Sequence, residues 1–508
     1  MMTRDRLVKS LKPNQHVDLN QEDDFDTLPK AKMIANFIKS FNGMPAEINM
    51  IALYGEWGCG KTSLMKWMES DFNLVTNYKT IFFEAWKHEK DNNIALSLMD
   101  AICSQTIQGQ FDKDINALKN TAGVLFKALA KSAIIDLGML KLSGKEFVQA
   151  GEDQDNKDDK SKSFYKATKE FEEQFKTVEN SILGEGDAKL IVFIDDLDRC
   201  EPECVLNLIS AIKLFFSYGE RTIFFCGMDK EAITKVITAK YGNVIRANEY
   251  LEKIFDVSFT IPKYRTLNKI LIHYFEDFGD DKLEIIEKFL SAIFFTNPRH
   301  LKKVLNKYAI LKYFKDNNID QFELIPEMTK ENSVFKIILV LFFIILHEFN
   351  LDAFIEIKEY DTKISQYIAS SDDGNTGNYQ HIENIKKHTF RNMKNITFKD
   401  MHYEKVGLFP NPSEGDRANV ERKSNSYIIQ KFLTIFTPHI NRKYTMVGNQ
   451  LGDCNLYLEQ FQDCKKEEII LYNFCKFIVE NDSVVLDEIR RDNDYKLWNL
   501  FEMVEMVL

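Results

Sequence analysis

No stretch of this 508-residue chain stays apolar long enough to cross a bilayer, which takes about 18 to 20 residues. The strongest candidate, Ile337–Leu346, is closed by Lys336 on one side and His347-Glu348 on the other, and predicts a buried helix. The next, Thr121–Leu142, is interrupted by Lys127, Lys131, Asp136 and Lys141. An excess of positive charge is missing as well: 77 acidic residues outweigh 66 basic ones, for a net charge of −11. That disfavours a whole-surface grip on nucleic acid and leaves only a local basic groove open. No secretory signal precedes the eight scattered cysteines, so reduced thiols and a cytoplasmic location are expected. Cys200, Cys204 and Cys226 have no fourth ligand, and Cys454, Cys464 and Cys475 have no zinc-site spacing. His381, His388 and His402 lie in neither an H-E-x-x-H helix nor a paired-carboxylate nuclease pattern, and no internal repeat is visible.

What the chain does contain is ordinary for a globular protein, 44% hydrophobic and 28% charged, with length enough for two or three domains. Its most informative segment is Gly55-Glu56-Trp57-Gly58-Cys59-Gly60-Lys61-Thr62, which fits G-x-x-x-x-G-K-[ST]. The apolar run Ile48–Tyr54 before it predicts a buried strand. From Ser63 onward, Leu64, Met65, Trp67 and Met68 predict a helix. Glycines let backbone N–H groups turn inward around an anion at a helix N-terminus. Lys61 can then reach β/γ-phosphates and the Thr62 hydroxyl can ligate Mg²⁺. Cys59 lies in this cradle beside Lys61. It is either a thiol whose alkylation blocks nucleotide binding or simply a small residue tolerated there.

Further strands are expected at Thr80–Phe83, Leu190–Ile194, Thr222–Cys226 and Val257–Ile261, alternating with helical patterns. This alternation predicts an α/β fold, a doubly wound P-loop sheet with a helical insertion, a helical lid and a mainly helical C-terminal region. The boundaries follow composition. Residues 1–20 form a polar segment, 21–265 the core with its insertion at about 91–186, 266–320 the lid, and 321–508 the remainder. Pro29–Phe41 should be a helix buried through Met33, Ile34, Phe37, Ile38 and Phe41. The charge-dense run 151–163 should be a solvated loop or disordered, and Phe164, Phe171, Phe175, Val178 and Ile182 form a core-facing stripe after it. Residues 366–425 are irregular, and 426–508 return to a helical pattern.

The Leu190–Ile194 strand ends in Asp195-Asp196-Leu197-Asp198-Arg199-Cys200. Ligands of open α/β sheets bind at this strand edge, which places Asp195 to hold Mg²⁺ through water. Asp196 becomes the general base or the residue that orients the attacking water. Arg199 either stabilises charge on the γ-phosphate or ties the loop to Asp198 or Glu201. Asp229, ending the next strand, is a γ-phosphate sensor or a helix N-cap. Arg299, in Asn297-Pro298-Arg299, can swing onto the phosphates or be a plain surface arginine. One strand, Thr80–Phe83, is expected between the P-loop and aspartate strands. That insertion is what NTPases with an additional central strand show, and it disfavours the GTPase arrangement. No N-K-x-D guanine reader is present, because Asn306-Lys307 runs on into Tyr308-Ala309 within a helix. Adenine is therefore the expected base.

These segments together resemble the KAP family of P-loop NTPases, in the additional-strand class and of soluble bacterial type. The resemblance is carried by GEWGCGKTS at 55–63, FFEAW at 82–86, IDDLDRCEPE at 194–203, FFCGMD at 224–229, YLEKIFDVSFTIP at 250–262 and NPRHLKKVLN at 297–306. It implies ATP on the loop residues Gly55 to Ser63, Mg²⁺ on Thr62 and Asp195, water activation by Asp196, and lid sensing by Arg299. Glu84 departs from the asparagine frequent at that strand end. The resemblance further implies an ATPase that acts as a switch or motor with protein partners of a multi-gene system, in antiphage defence, with homo-oligomers open. Two alternatives stand beside it. One is a nucleotide-gated scaffold with negligible turnover; the other is a nucleic-acid-stimulated ATPase using Lys302, Lys303, Lys307, Lys312 and Lys315.

Overall fold

The computed structural model describes most of residues 18–131, 157–316 and 334–358, together with Phe474, Phe477, Val504 and Glu505. The expectations for residues 1–17, for the irregular insert and for most of 426–508 fall outside these described residues, as do His381, His388 and His402. Two compact units result: residues 14–265, and the described residues from Thr266 on.

In the first unit, α1 (Thr27–Lys39) precedes β1 (Met50–Tyr54) and α2 (Lys61–Asn73). Next come β2 (Tyr78–Glu84), α3 (Ile94–Cys103), α4 (Asp112–Lys131), α5 (Lys157–Leu183), β3 (Lys189–Asp195) and α6 (Pro202–Leu214). The unit closes with β4 (Thr222–Met228), α7 (Lys230–Tyr241), α8 (Val244–Ile254) and β5 (Val257–Thr260). All five strands pair in parallel, in the order β2-β3-β4-β1-β5. The strand at 78–84 thus separates β1 from β3 in sequence only. In the sheet that place belongs to β4, and β2 forms an edge.

Strand alternation divides the core into two layers, as a sheet covered on both faces requires. Ile51, Leu53, Ile191, Phe193, Ile223 and Phe225 face α1 and α2, whereas Ala52, Val192, Ile194, Phe224 and Cys226 face the layer of α3 to α8. In that second layer Phe126 of α4 packs on Phe171, Phe215 and Phe216, with ring centroids 5.9, 5.5 and 5.7 Å away. Phe171, Phe175, Val178 and Ile182 of α5 are all buried, as their spacing predicts.

Two local readings need correction. Lys157–Ser163 form the first turns of α5 and not a loop, because mixed lysine and aspartate residues continue the helix that the phenylalanine stripe anchors. On α1 the buried face is Ala31, Ile34, Ala35 and Ile38, while Met33 is exposed. Ala31 and Ala35 share a face with Ile34 and Ile38, and Met33 lies off that face.

The second unit contains α9 (Asn268–Tyr274), α10 (Asp280–Ala292), α11 (Pro298–Asp316) and α12 (Val334–Phe349). Ile337–Leu346 lies within α12 and is buried, in contact with neighbours such as Phe474. Among the described residues no helix is long and apolar enough to cross a membrane.

Candidate active site

The loop from Gly55 to Gly60 is pinned at its entrance by the Gly55 N–H, which donates to the Met228 carbonyl of β4 at 3.1 Å. A side chain at position 55 would force the Cys59 thiol to move, because its Cβ would lie 2.5 Å from the sulfur. At the exit Gly60 takes φ 100°, a left-handed conformation that carries the chain directly into α2 at Lys61. Thr62 and Ser63 therefore sit in the first helical turn, where amide N–H groups have no intrahelical acceptor. Cys59 is buried in the loop.

Lys61 curls over its own loop. Its Nζ donates to the carbonyls of Gly55 at 2.9 Å and Glu56 at 3.3 Å and lies 3.9 Å from Asp198 Oδ2, with both side chains 7% exposed. The Thr62 hydroxyl donates to Asp195 Oδ2 at 2.6 Å. Asp195 ends β3 and is only 2% exposed; its other oxygen, Oδ1, has no hydrogen-bond partner among the described residues. Burial pushes the Asp195 carboxyl pKa up, against the pull of the Thr62 hydroxyl, the Asp196 backbone N–H and the Lys61 charge. An orphaned, buried carboxylate oxygen beside a hydroxyl is a pair of hard oxygen donors, which fits Mg²⁺.

Asp196 adopts φ 56°, ψ 28°, and this left-handed residue starts the 3₁₀ turn Leu197–Arg199. Residues three apart eclipse in such a turn, which returns Arg199 over Asp196. The Arg199 Nε lies 2.9 Å from Asp196 Oδ1. The arginine therefore pairs with Asp196, in place of the expected Asp198 or Glu201. Burial, then the neighbouring Asp195 charge, pushes the Asp196 pKa up to about 6, while Arg199 lowers it. Glu84 joins the same edge, since strand register pairs it with Asp195, and its carboxylate also bonds Lys87.

Sequence reasoning missed the surroundings of Arg199. Its Cζ lies 5.7 Å from the Trp57 ring and 5.5 Å from the Trp86 ring. Trp57 belongs to the phosphate loop and Trp86 to the 3₁₀ turn Ala85–His88 that follows β2, and both are about half exposed. Neither contact has a local sequence signal, but a tryptophan in the middle of a glycine-rich loop is the clue available. Asp198, with its contact to Lys61, was also underrated.

Asp229 takes the capping role: its Oδ1 accepts from the N–H groups of Glu231 at 2.9 Å and Ala232 at 3.3 Å. Arg299 belongs to the second unit, in the first turn of α11, where Asn297 Oδ1 accepts its N–H at 3.1 Å. Of the basic stretch on that helix, Lys303 and Lys307 both pair with Glu348. Asn306 accepts from the buried Tyr274 hydroxyl at 2.6 Å, as befits a helix interior and not a base reader. No cluster of metal-binding side chains of the histidine, cysteine or carboxylate kind occurs among the described residues.

Comparison with known proteins agrees with this geometry. The uncharacterized protein MJ0181 of Methanocaldococcus jannaschii is 35% identical over 270 residues, which cover 51% of this chain and 100% of the relative. The uncharacterized protein MJ0182 of the same organism is 32% identical over 167 residues, covering 27% of this chain and 84% of its own. Both are archaeal, where the resemblance had pointed to a bacterial type. The KAP family P-loop domain matches residues 30–314, a span that holds the loop, the aspartate strand and Arg299 alike. The chain belongs to the KAP family of P-loop NTPases.

Proposed function

We propose that this NTPase binds and hydrolyses ATP with Mg²⁺ and uses the cycle to change conformation. The observation that carries the reading is Asp195: a buried carboxylate with one oxygen on the Thr62 hydroxyl and the other without a hydrogen-bond partner among the described residues, behind a glycine loop and its lysine. When bound, Mg²⁺ would be held by Thr62 and Asp195 and would neutralise phosphate charge. Lys61 exchanges the Gly55 and Glu56 carbonyls for phosphate oxygens. Asp196 takes the proton of the water whose oxygen bonds the γ-phosphorus, as the bond to the β–γ bridging oxygen breaks and ADP leaves. With a pKa of about 6, Asp196 is mostly ionised at neutral pH and able to accept that proton.

Adenine as the base, Arg299 as a lid sensor, and transmission to residues 321–508 and to protein partners belong to the same reading. A setting in antiphage defence rests on family resemblance only. A second reading, a scaffold with negligible turnover, is favoured by the Arg199–Asp196 pair, which sets a cation on one oxygen of the base. Calorimetry with Mg·ATP tests the site: Lys61→Ala should lose affinity, and affinity equal to wild type overturns the assignment. Asp196→Asn should retain affinity and lower turnover by about 10²- to 10⁴-fold. Negligible turnover already in wild type selects the scaffold.

A further inference from the structure

Arg199 bridges three pieces of the site that are far apart in sequence. Its guanidinium forms an ion pair with Asp196, just past the end of β3, and within 6 Å it meets Trp57 on the phosphate loop and Trp86 on the turn after β2. Neither ring is core: Trp57 is 53% and Trp86 51% exposed, so packing alone does not account for two large aromatics at this edge. Exposed cation–π contacts are weak and yield to a stronger partner. A guanidinium has such a partner in a phosphate, which its planar fork matches as well as it matches a carboxylate. Arg199 sits on one oxygen of Asp196, Oδ1, and its positive charge there makes the whole carboxylate a poorer acceptor for a proton from water.

We propose that Arg199 is a positioning residue that responds to the terminal phosphate. Trp57 and Trp86 hold it on Asp196, and a nucleoside triphosphate, but not a diphosphate, draws it off and frees Asp196 for water. This rests on the nucleotide-site reading above and adds to it a discrimination between substrate and product. Trp57 follows the loop, which both nucleotides engage through their β-phosphate, whereas Trp86 follows Arg199 alone.

The test uses the full chain with its four tryptophans replaced by 5-fluorotryptophan. The ¹⁹F signals are assigned through Trp57→Phe, Trp67→Phe, Trp86→Phe and Trp498→Phe. Mg·AMP-PNP, a non-hydrolysable triphosphate, should shift the Trp57 and Trp86 signals, while Mg·ADP should shift Trp57 and leave Trp86 in place. In Arg199→Gln the Trp86 signal should no longer separate the two nucleotides. Turnover should fall about 10²-fold, with Mg·ADP affinity within about twofold of wild type. A Trp86 signal that responds alike to both nucleotides, or to neither while calorimetry on the same sample records binding, overturns the relay. So does full turnover in Arg199→Gln. Absence of binding in that calorimetry overturns the nucleotide-site reading itself, and the relay with it.

Discussion

Glu179 and Asp195 are carboxylates buried to the same degree, each 2% exposed, at opposite ends of one sheet. At the amino-terminal edge Glu179 of α5 is saturated: Oε1 accepts from the Arg221 N–H at 2.9 Å and the Thr222 hydroxyl at 2.5 Å, and Oε2 from the Glu220 N–H at 3.1 Å. At the carboxyl-terminal edge Asp195 has the Thr62 hydroxyl on Oδ2, while Oδ1 has no hydrogen-bond partner among the described residues. Burying a charged group is costly unless hydrogen bonds replace its hydration. One end of the sheet therefore uses its carboxylate to fasten helix to strand, and the other keeps an acceptor open. Strain follows the same division, since left-handed Asp196 and the carboxylates around it also crowd the open end.

The sharpest way to break this comparison is to neutralise both acids and watch activity and stability part company. Asp195→Asn should abolish measurable hydrolysis, a loss of at least about 10³-fold, on the scale of removing a catalytic electrostatic group. Its thermal midpoint at neutral pH should equal or exceed wild type. The sign follows from linkage: the Asp195 pKa is raised on folding, so the ionised group opposes folding at neutral pH, and that cost vanishes below about pH 4. A lower midpoint would show that Asp195 is structural after all. Glu179→Ala should do the reverse. It strands two backbone N–H groups and a hydroxyl and should cost roughly 3 kcal/mol in denaturant unfolding, with turnover per folded molecule unchanged.

A pH profile sharpens the contrast at the catalytic end. Asp196 must be ionised to accept a proton, and its pKa is about 6. The ratio kcat/KM, which reports the free enzyme, should hold level above about pH 7 and fall about tenfold per unit well below pH 6. A profile flat to pH 5 would remove Asp196 from proton transfer.

How much of this was legible beforehand depends on the range of the interactions. The strands were legible because β1, β3 and β4 are buried on both faces and so read as unbroken apolar runs, ending in Asp195 or in Gly227-Met228. The loop was legible from the spacing of Gly55 to Thr62, and the aspartates from their place at the carboxyl end of a buried strand, which brings Asp195 to the same edge as Lys61 and Thr62. Strand order was not, since β4 enters between β1 and β3 by a tertiary choice that no local pattern records. The loop tie of Arg199 was placed on Asp198 or Glu201 and not on Asp196, because the outcome hangs on a 3₁₀ turn three residues long. Trp86 and Glu179 were invisible as functional groups, for their partners arrive from elsewhere in the chain.

The smallest predicted effect belongs to Arg221, beside Glu179. Its guanidinium donates to the carbonyls of Gly184 at 3.0 Å and Gly186 at 2.7 Å and to Asn180 Oδ1, closing the C-terminus of α5. Gly184 and Gly186 follow the last residue of α5, so the arginine fastens the turn that leaves the helix, and its charge there suits the negative end of the helix dipole. These bonds are solvent-exposed, and water replaces them at modest cost. Arg221→Ala should therefore lower unfolding stability by only about 1 kcal/mol. The Glu179 bonds to the backbone of the same segment do not need the arginine side chain, so Arg221→Ala and Glu179→Ala should be close to additive. Strong coupling between them in a double-mutant cycle would mean that this end of the sheet is a single network and not a saturated carboxylate with a separate helix cap.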